Sequence, residues 1–460
     1  MDVFADKLGA VGAWCAGNKY LSAIKNAFQN FMPATIAGAI CVVWTCVVVN
    51  SGSGLGIFFE PIMALEPFNA VFGAVQNATI GFIAVSVCML VGQEIAESNG
   101  EKGSAYPAVL AFIMWITVTP LSHAVTGLSA GTDAAGTALS IEAVLAAAGL
   151  DAAAAGTFGG ISTAYTGATG LFTGLIVGIG GMELYCALRK VEGLKIKMPE
   201  MVPPGVAKAF EVTIPTFIAL MIISTIGWLS TTLLGLPLND LISTYVQQPL
   251  KAIIGENIVA VMVLYVIIML FWCVGIHGNN MVSAVKSAIF EPMIIENMEI
   301  YQKTGDMSQV PNVLNIVMMQ MFGEWGGSGV TLALIIAIFL FSKREDNRTI
   351  ATLSIVPGLF NINETMTFGI PLVLNPILDI PFIFTSVITV FVGWVLTIIG
   401  FCPKAVIVTP WTTPPLLMGF LATGGNIMGA ISQLIVIAIA TVIYTPFLLA
   451  FEKAQNEGKA

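Results

Sequence analysis

The segment that decides the fold reads NINETMTFGIPLVLNP and covers residues 361–376. It interrupts a largely apolar run, residues 349–381, with two prolines, one glycine and three polar side chains in four residues: Asn361, Asn363 and Glu364. In a membrane, non-helical backbone is tolerated only where protein or a water-filled cavity satisfies its polar groups. The segment therefore predicts a re-entrant hairpin over residues 349–381 that lines a cavity.

The composition of the chain indicates that a lipid bilayer surrounds this hairpin. Of 460 residues, 57% are hydrophobic and 10% are charged, whereas soluble domains carry about 25% charged residues. The net charge is −9 and the 18 basic residues are scattered, which argues against nucleic acid as a partner. The two histidines lie far apart, and the sequence has neither a CxxC pair nor a Walker motif. We therefore expect no metal, no cofactor and no use of ATP by this chain.

Apolar runs outside the hairpin predict the transmembrane helices, since about 20 residues are needed to cross a bilayer. Long runs occur at residues 32–50, 71–92, 105–121, 165–181, 212–236, 258–276, 382–401 and 427–451, and shorter runs at 310–322 and 328–341. A tight turn at residues 323–327 would join the two shorter runs as separate crossings. The expected total is about ten spans.

Basic residues orient these spans. They cluster near the N-terminus, at residues 189–208, at residues 343–348 and near the C-terminus. The positive-inside rule makes these regions cytoplasmic, so both termini are expected in the cytoplasm. Ten spans satisfy this orientation only if residues 349–381 enter and leave the membrane on the same side, which is a second reason to predict a hairpin there.

The two ends of the chain are predicted to lie at the cytoplasmic surface. Residues 1–31 would form an N-terminus with an amphipathic helix over residues 18–31, because apolar residues such as Phe28 and Phe31 recur on one helical face. Residues 452–460 would form a cytoplasmic tail. The expected fold class is an all-α polytopic membrane protein with about ten transmembrane helices, re-entrant hairpins and amphipathic surface helices.

Glu364 is the first candidate functional residue, because a charge inside a membrane costs several kcal/mol and marks a functional site by default. We expect its carboxylate to accept a hydrogen bond from a sugar hydroxyl, with the amides of Asn361 and Asn363 holding neighbouring hydroxyls. The alternative is a carboxylate that only caps backbone amides of the hairpin.

His277 is the second candidate. It lies in FWCVGIHGNN, residues 271–280, where flanking glycines such as Gly278 allow a ligand to approach closely and Asn279 adds a donor and an acceptor. Trp272 lies in the same broken segment. The alternative for His277 is a satisfied histidine at a membrane boundary.

Two further side chains are candidates for the lining of a sugar site. Trp411 lies in the proline-rich segment TPWTTPP, residues 409–415, and its indole suits the apolar face of a sugar, as does that of Trp272. The alternative for both is the interfacial aromatic belt. Asn77 is polar in the middle of a predicted span, where it would either join helices or reach the substrate.

These motifs resemble the enzyme IIC permeases of the bacterial phosphotransferase system, in the lactose/cellobiose/chitobiose family. The resemblance rests on the hairpin segment 361–376, on GIHG at residues 275–278, on GGSG at 326–329 and on PWT at 410–412. KNAF at residues 25–28 matches as well, so that the resemblance covers almost the whole chain. It implies a multi-pass protein of the bacterial inner membrane that works as a homodimer.

The resemblance also implies a division of labour along the chain. Residues 32–257 would form a five-span dimerisation half, and residues 258–451 a substrate-binding half that contains the hairpin. The sugar would be phosphorylated on its 6-hydroxyl by a phosphocysteine of a soluble enzyme IIB, with enzyme IIA upstream. Glu364 and His277 would contact that hydroxyl, and either of them would serve as the general base.

The remaining expectations concern the sugar and the partner. The resemblance implies that Trp272, Trp411 and Asn77 line the site together with Gly278 and Asn279. The chain ends soon after the last predicted span, so we expect enzyme IIB to be a separate protein. This favours a β-linked disaccharide such as cellobiose or diacetylchitobiose.

One residue departs from the family's pattern. Thr365 stands where family members commonly have proline, and this difference affects the expected geometry of the hairpin tip and the fine specificity for sugars.

The alternative function is a proton-coupled sugar symporter that uses Glu364 as its proton site.

Overall fold

The computed structural model describes residues 7, 10, 11, 13–15, 17–50, 55–57, 59–124, 129–132, 138–140, 157–199, 201–370, 372–373 and 375–456. Helices account for most of them. The first seven are α1 Lys19–Val43 with its π-helical continuation Trp44–Val48, α2 Asn69–Thr79, α3 Ile83–Ser98, α4 Tyr106–Val118, α5 Thr163–Thr166, α6 Leu171–Arg189 and α7 Pro204–Leu234.

The later helices are α8, which is the helical run Leu238–Gly255, α9 Ile258–Cys273, α10 Gly278–Thr304, α11 Ile316–Gly323, α12 Thr331–Phe341, α13 Glu345–Leu359, α14 Glu364–Gly369, α15 Asp379–Ile398, α16 Leu417–Ala422 and α17 Ile427–Asn456. Short 3₁₀ turns cover Leu55–Ile57, Glu60–Phe68, Ile80–Phe82, Ala168–Gly170, Glu192–Leu194, Met307–Gln309 and Ser328–Val330.

Local sequence explains where the main helices begin and end. The side-chain oxygen of Asn18 accepts hydrogen bonds from the first amides of α1, and Asn257 and Asn315 do the same for α9 and α11. Gly235 and Gly305 end α7 and α10 in the left-handed conformation that favours glycine.

Four short strands lie between α4 and α5. Ser122–Ala124 pairs antiparallel with Thr157–Gly159, and Ser129–Thr132 pairs antiparallel with Ala138–Ser140. In register, Ser122 lies opposite Gly159. The sequence-based expectation of an all-α fold did not include these two pairs of strands.

The described residues do not confirm the predicted number of about ten spans. Among the described residues, seven helices are long and apolar enough to cross a membrane. The pair α8 and α9, bent by 76°, brings the number to eight, and α4 is a shorter apolar helix. The total of about ten is therefore not reached by length and composition.

One reason is that residues 310–322 and 328–341 are not two crossings. They fall within a single apolar run of 26 residues, Ile316–Phe341, in which α11 and α12 are separated by a break at residues 324–327. The predicted tight turn is this break. Discontinuous helices of this kind are common at the binding sites of transporters, where the break exposes backbone polar groups to a cavity.

A second difference concerns the N-terminus. The predicted surface helix over residues 18–31 does form, but it does not end at Phe31. It continues through Pro33 as one helix, Lys19–Val48, of 30 residues. Phe28 and Phe31 are buried against other helices, so the apolar face that suggested a membrane surface is in part a packing face. The predicted tail at residues 452–460 is likewise helical as far as Asn456, within α17.

Small residues bring the helices of the first half close together. A Cβ atom on Gly174 of α6 would lie 2.5 Å from the carbonyl oxygen of Ala84 in α3, and one on Gly178 would lie 2.8 Å from that of Cys88. Glycines on one face of a membrane helix allow this approach, which replaces the hydrophobic effect as the source of packing energy.

Two helices joined by a short turn lie inside the segment for which the sequence predicts a hairpin. Helix α13 ends at Leu359, a short turn follows, and α14 begins at Glu364 and packs against α13. Asn361 occupies the turn with φ of 61°, in the left-handed region that asparagine tolerates better than most residues. The hairpin tip is therefore residues 360–363, with Glu364 directly after it.

Candidate functional site

A cavity of about 620 Å³ lies among five segments of the chain. Its walls come from α1, from the N-terminal two thirds of α10, from α11 and the break at residues 324–327 that follows it, from the hairpin tip with Glu364, and from the loop 408–411. Its volume lies within the range of roughly 300–1,000 Å³ that is usual for small-molecule sites. Glu364, His277, Asn279, Asn361, Asn363 and Trp411, all predicted from the sequence, line it.

Glu364 and His277 face each other across the cavity. Oε1 of Glu364 lies 3.8 Å from Nε2 of His277, and both side chains are partly exposed to the cavity. His277 precedes α10, and its Nδ1 accepts a hydrogen bond from the backbone N–H of Asn280 at 3.3 Å. Because Nδ1 is an acceptor, the proton of the neutral imidazole is on Nε2 and points toward the carboxylate.

Trp272 supports His277 rather than facing the cavity. Its indole is 2% exposed, and its ring centroid lies 4.5 Å from that of the imidazole. The indole thus fixes the plane of His277 from behind. Gly278 is needed for packing, since a Cβ atom there would lie 2.0 Å from the carbonyl oxygen of Ile268. Neither Trp272 nor Gly278 lines the cavity.

Asn361 holds three segments together at the hairpin tip. Its Nδ2 donates to the carbonyl oxygens of Trp411 and Thr413, at 2.6 and 3.1 Å, and its Oδ1 accepts from the backbone N–H of Gly326 at 3.1 Å. Both ends of the amide are therefore engaged by protein. The sequence-based hypothesis that Asn361 holds a sugar hydroxyl competes with this tethering role.

Asn363 connects the hairpin tip to Ser328, which directly follows the break at residues 324–327. It is 4% exposed, and its Nδ2 donates to Thr367 Oγ1 at 3.0 Å and to the carbonyl oxygen of Ser328 at 3.4 Å. A Cβ atom on Gly327 would lie 2.7 Å from the Asn363 side chain, and Gly327 has φ of 90°. Only glycine lets the two segments approach so closely.

Thr365 does not disturb this tip. It is the second residue of α14, in the first helical turn, where a proline is also tolerated because its missing N–H has no helical partner there. The first turn of α14 therefore accommodates either threonine or proline at this position.

Lys286 is a residue of the site that the sequence reasoning missed. Its Nζ lies 2.5 Å from Oε1 of Glu324 and 3.0 Å from Oδ1 of Asn279, and its side chain is 7% exposed. Tyr265 OH donates to the same carboxylate oxygen at 3.1 Å. This buried ion pair ties α10 to the break at residues 324–327. The available signal was the set of five charged residues in α10, which lower its hydropathy below that of a membrane span: Lys286, Glu291, Glu296, Glu299 and Lys303.

Asn279 belongs to the same network. Its Nδ2 donates to Ser328 Oγ at 2.9 Å, while its Oδ1 accepts from Lys286. Asn279 thus lines the cavity with its amide already engaged at both ends.

Trp411 is the aromatic platform that faces the cavity. Its side chain is 44% exposed, and its carbonyl oxygen is held by Asn361. Asn77, by contrast, is exposed on α2 and does not line the cavity. Its neighbour Gln76 takes the helix-joining role, because its Nε2 donates to Gln302 Oε1 of α10.

Helix α1 contributes a wall that the sequence reasoning assigned elsewhere. The cavity-lining residues of α1 are Lys25, Phe28, Gln29, Met32, Thr35 and Ile36. Their spacing of three and four residues places them on one helical face. The cavity is therefore bounded on one side by the first helix, whereas the sequence analysis placed the candidate site residues, apart from Asn77, in residues 258–451.

Comparison with known proteins identifies the family to which this chain belongs. The model of the family described as phosphotransferase system, EIIC, matches residues 25–386. A cellobiose-specific EIIC component of Lactococcus lactis is 30% identical, over 97% of this chain and 96% of its own length. An oligo-beta-mannoside-specific EIIC component of Bacillus subtilis is 29% identical, over 95% and 90% respectively.

A solved structure has the same fold. It is that of the transporter ChbC, the IIC component from the N,N'-diacetylchitobiose-specific phosphotransferase system. The two structures superpose with a TM-score of 0.83 and are 28% identical in sequence. The superposition covers 98% of each chain. The chain described here belongs to the EIIC family of the phosphotransferase system and is a multi-pass membrane protein. Within that family it is of the cellobiose/chitobiose type.

Proposed function

We propose that this chain imports a β-linked disaccharide, such as cellobiose or diacetylchitobiose, and that the sugar leaves it phosphorylated on the 6-hydroxyl. The observation that supports this most is the pair Glu364–His277 in a cavity of about 620 Å³, with the exposed indole of Trp411 in the same cavity. An indole suits the C–H face of a sugar, and a carboxylate suits a hydroxyl. The names of the two EIIC relatives and of the structural neighbour support the sugar class.

Glu364 is the proposed general base. Nε2 of His277 carries the proton of the neutral ring and points to the carboxylate, so this nitrogen has no lone pair to receive a proton. His277 instead donates to Glu364 or to the sugar oxygen and holds them in position. The backbone and the Trp272 indole fix the imidazole in that orientation.

The transfer then proceeds with little covalent chemistry on the protein. The 6-hydroxyl oxygen of the sugar attacks phosphorus, the P–S bond of a phosphocysteine on enzyme IIB breaks, and the cysteine leaves as thiolate. The hydroxyl proton passes to Glu364. Positioning and charge stabilisation supply most of the catalysis in such transfers.

The partners are part of the same proposal. Enzyme IIB is proposed as a separate soluble protein with enzyme IIA upstream, and the permease is proposed to be a homodimer in the bacterial inner membrane with both termini in the cytoplasm. Helix α7 supports the dimer, because it leaves large side chains such as Phe217, Trp228 and Leu233 uncovered by the protomer.

Uptake into vesicles tests the proposal. Vesicles that contain the permease are given radiolabelled cellobiose, with or without phosphorylated IIB inside. We expect cellobiose phosphate to accumulate only with the phosphorylated donor. Accumulation of unmodified sugar driven by a proton gradient would instead favour the symporter alternative, which the family match already disfavours.

A further inference from the structure

Helix α1 has two chemically different faces. One face is fastened to the helices behind it: Asn26 Nδ2 donates to Glu94 at 2.8 Å, Asn30 Nδ2 donates to the same carboxylate at 3.3 Å, and Lys19 pairs with Glu183 at 2.6 Å. The opposite face lines the cavity with Lys25, Gln29 and their apolar neighbours. The helix is thus a fixed wall whose one charged group in the cavity is Lys25, beside the polar side chains of Gln29 and Thr35.

The two lysines that line the cavity differ in whether they have ion-pair or hydrogen-bond partners. Of its two lysines, Lys286 is buried and committed to Glu324 and Asn279. Lys25 is only half-buried and has no hydrogen-bond or ion-pair partner among the residues that the structure describes. The carboxylates of Glu291, Glu324 and Glu364 line the same cavity. An unpaired ammonium group is therefore available beside an excess of negative charge.

A phosphorylated sugar makes this excess larger. A phosphate ester adds a charge of about −2 at neutral pH, and Glu364 lines the cavity in which it forms. Without a cation the product would be repelled, and charge-assisted hydrogen bonds from lysine are a common solution. Lys25 lies in the N-terminal part of α1, on the side that the basic clusters predict to be cytoplasmic, where the product must leave.

We propose that Lys25 is a phosphate subsite that binds the 6-phosphate of the product sugar on its way from the cavity to the cytoplasm. This proposal rests on the proposed function, since it needs a phosphorylated sugar. In this proposal, Lys25 of the first helix binds the sugar only after the sugar has been phosphorylated. The unphosphorylated sugar, held near Glu364 and Trp411, does not use Lys25.

The test compares two ligands on four proteins in phosphatidylcholine nanodiscs. Cellobiose and cellobiose 6-phosphate are titrated onto wild type, Lys25→Gln, Lys25→Arg and Lys208→Gln. Lys208 is an exposed lysine of α7 that does not line the cavity, so its variant loses the same charge elsewhere. We expect Lys25→Gln to raise the Kd for the sugar phosphate about tenfold and to leave that for cellobiose within about twofold. Lys25→Arg and Lys208→Gln should resemble wild type.

Other outcomes overturn the proposal. Equal Kd values of wild type and Lys25→Gln for the sugar phosphate would remove Lys25 from the subsite, and equal weakening of both ligands would assign it to sugar binding or to folding. An effect that appears only when phosphatidylglycerol is added would assign Lys25 to a lipid headgroup. Failure of wild type to bind either ligand would overturn the proposed function itself, and the wild-type arm alone reveals this.

Discussion

The carboxylate of Glu364 lies 3.8 Å from Nε2 of His277, although 87 positions of sequence separate the two residues. The hairpin tip delivers the carboxylate, and the start of α10 delivers the imidazole. Each is held by its own support, Asn361 and Asn363 on one side and Trp272 with the Asn280 amide on the other. The pair is a preorganised acceptor and donor for one hydroxyl group.

Replacement of Trp411 should weaken sugar binding without unfolding the protein. Its indole is the aromatic surface that the loop 408–411 turns to the cavity. We expect Trp411→Ala to raise the Kd for cellobiose about tenfold, measured by calorimetry, because a stacking surface is lost. Trp14→Ala is the matched control, since Trp14 is exposed and does not line the cavity. An equal effect of both substitutions would contradict the assignment of Trp411.

Ile362 is the position at which a cysteine should best report occupancy of the cavity. Asn363 is 4% exposed, whereas its neighbour Ile362 is 40% exposed and lines the cavity. A cysteine at Ile362 should react with a thiol reagent, and cellobiose should slow the reaction about tenfold at saturation. A cysteine at Phe368, which is exposed on α14 but does not line the cavity, should react at a rate that sugar does not change. Protection of neither cysteine would speak against the cavity as the sugar site.

Replacing both members of the buried ion pair Lys286–Glu324 should destabilise the protein less than replacing either member alone. Lys286→Met or Glu324→Gln alone leaves one buried charge without compensation, which costs about 3–5 kcal/mol of unfolding free energy. The double variant should recover most of that loss. Thermal unfolding in detergent of all four proteins gives the coupling. Purely additive losses would show that the two side chains do not interact.

Asn361 should matter for both its amide and its backbone conformation. Asn361→Ala loses three hydrogen bonds, each worth about 0.5–1.5 kcal/mol, and places alanine at φ of 61°, which costs about 1–2 kcal/mol. Asn361→Gly loses the hydrogen bonds without the strain. We expect both variants to melt at a lower temperature than wild type, and Asn361→Ala to melt at a lower temperature than Asn361→Gly. Reversed order would contradict the role of the left-handed turn.

The sequence predicted this site where polar residues interrupt an apolar background. Glu364 and His277 stand out because a charge or imidazole inside a hydrophobic run has few structural explanations, and the structure brings both to one cavity. The turn between α13 and α14 lies at residues 360–363, and Asn361 and Asn363 in it are among the residues that interrupt the apolar run. These signals are local, so a single chain carries them.

The features that the sequence did not reveal depend on distant partners. Lys286 is paired with Glu324, 38 positions away, and in sequence the charge only made α10 look unlike a membrane helix. The amides of Asn361 and Asn363 suggested sugar ligands, but their actual partners lie 35 to 52 positions away, apart from Thr367. The break at residues 324–327 was interpreted as a reversal because glycines permit either geometry.

The measurement that tests the central claim most directly is single-turnover transfer of phosphate from phosphorylated IIB to cellobiose by Glu364→Gln beside wild type. Cellobiose binding is measured on the same preparations. Glu345→Gln is the control, since Glu345 is an exposed carboxylate at the start of the same hairpin. If Glu364 is the general base, its variant should lose about a hundredfold or more in transfer rate and bind cellobiose within about tenfold of wild type. Transfer at the wild-type rate by Glu364→Gln would contradict the claim.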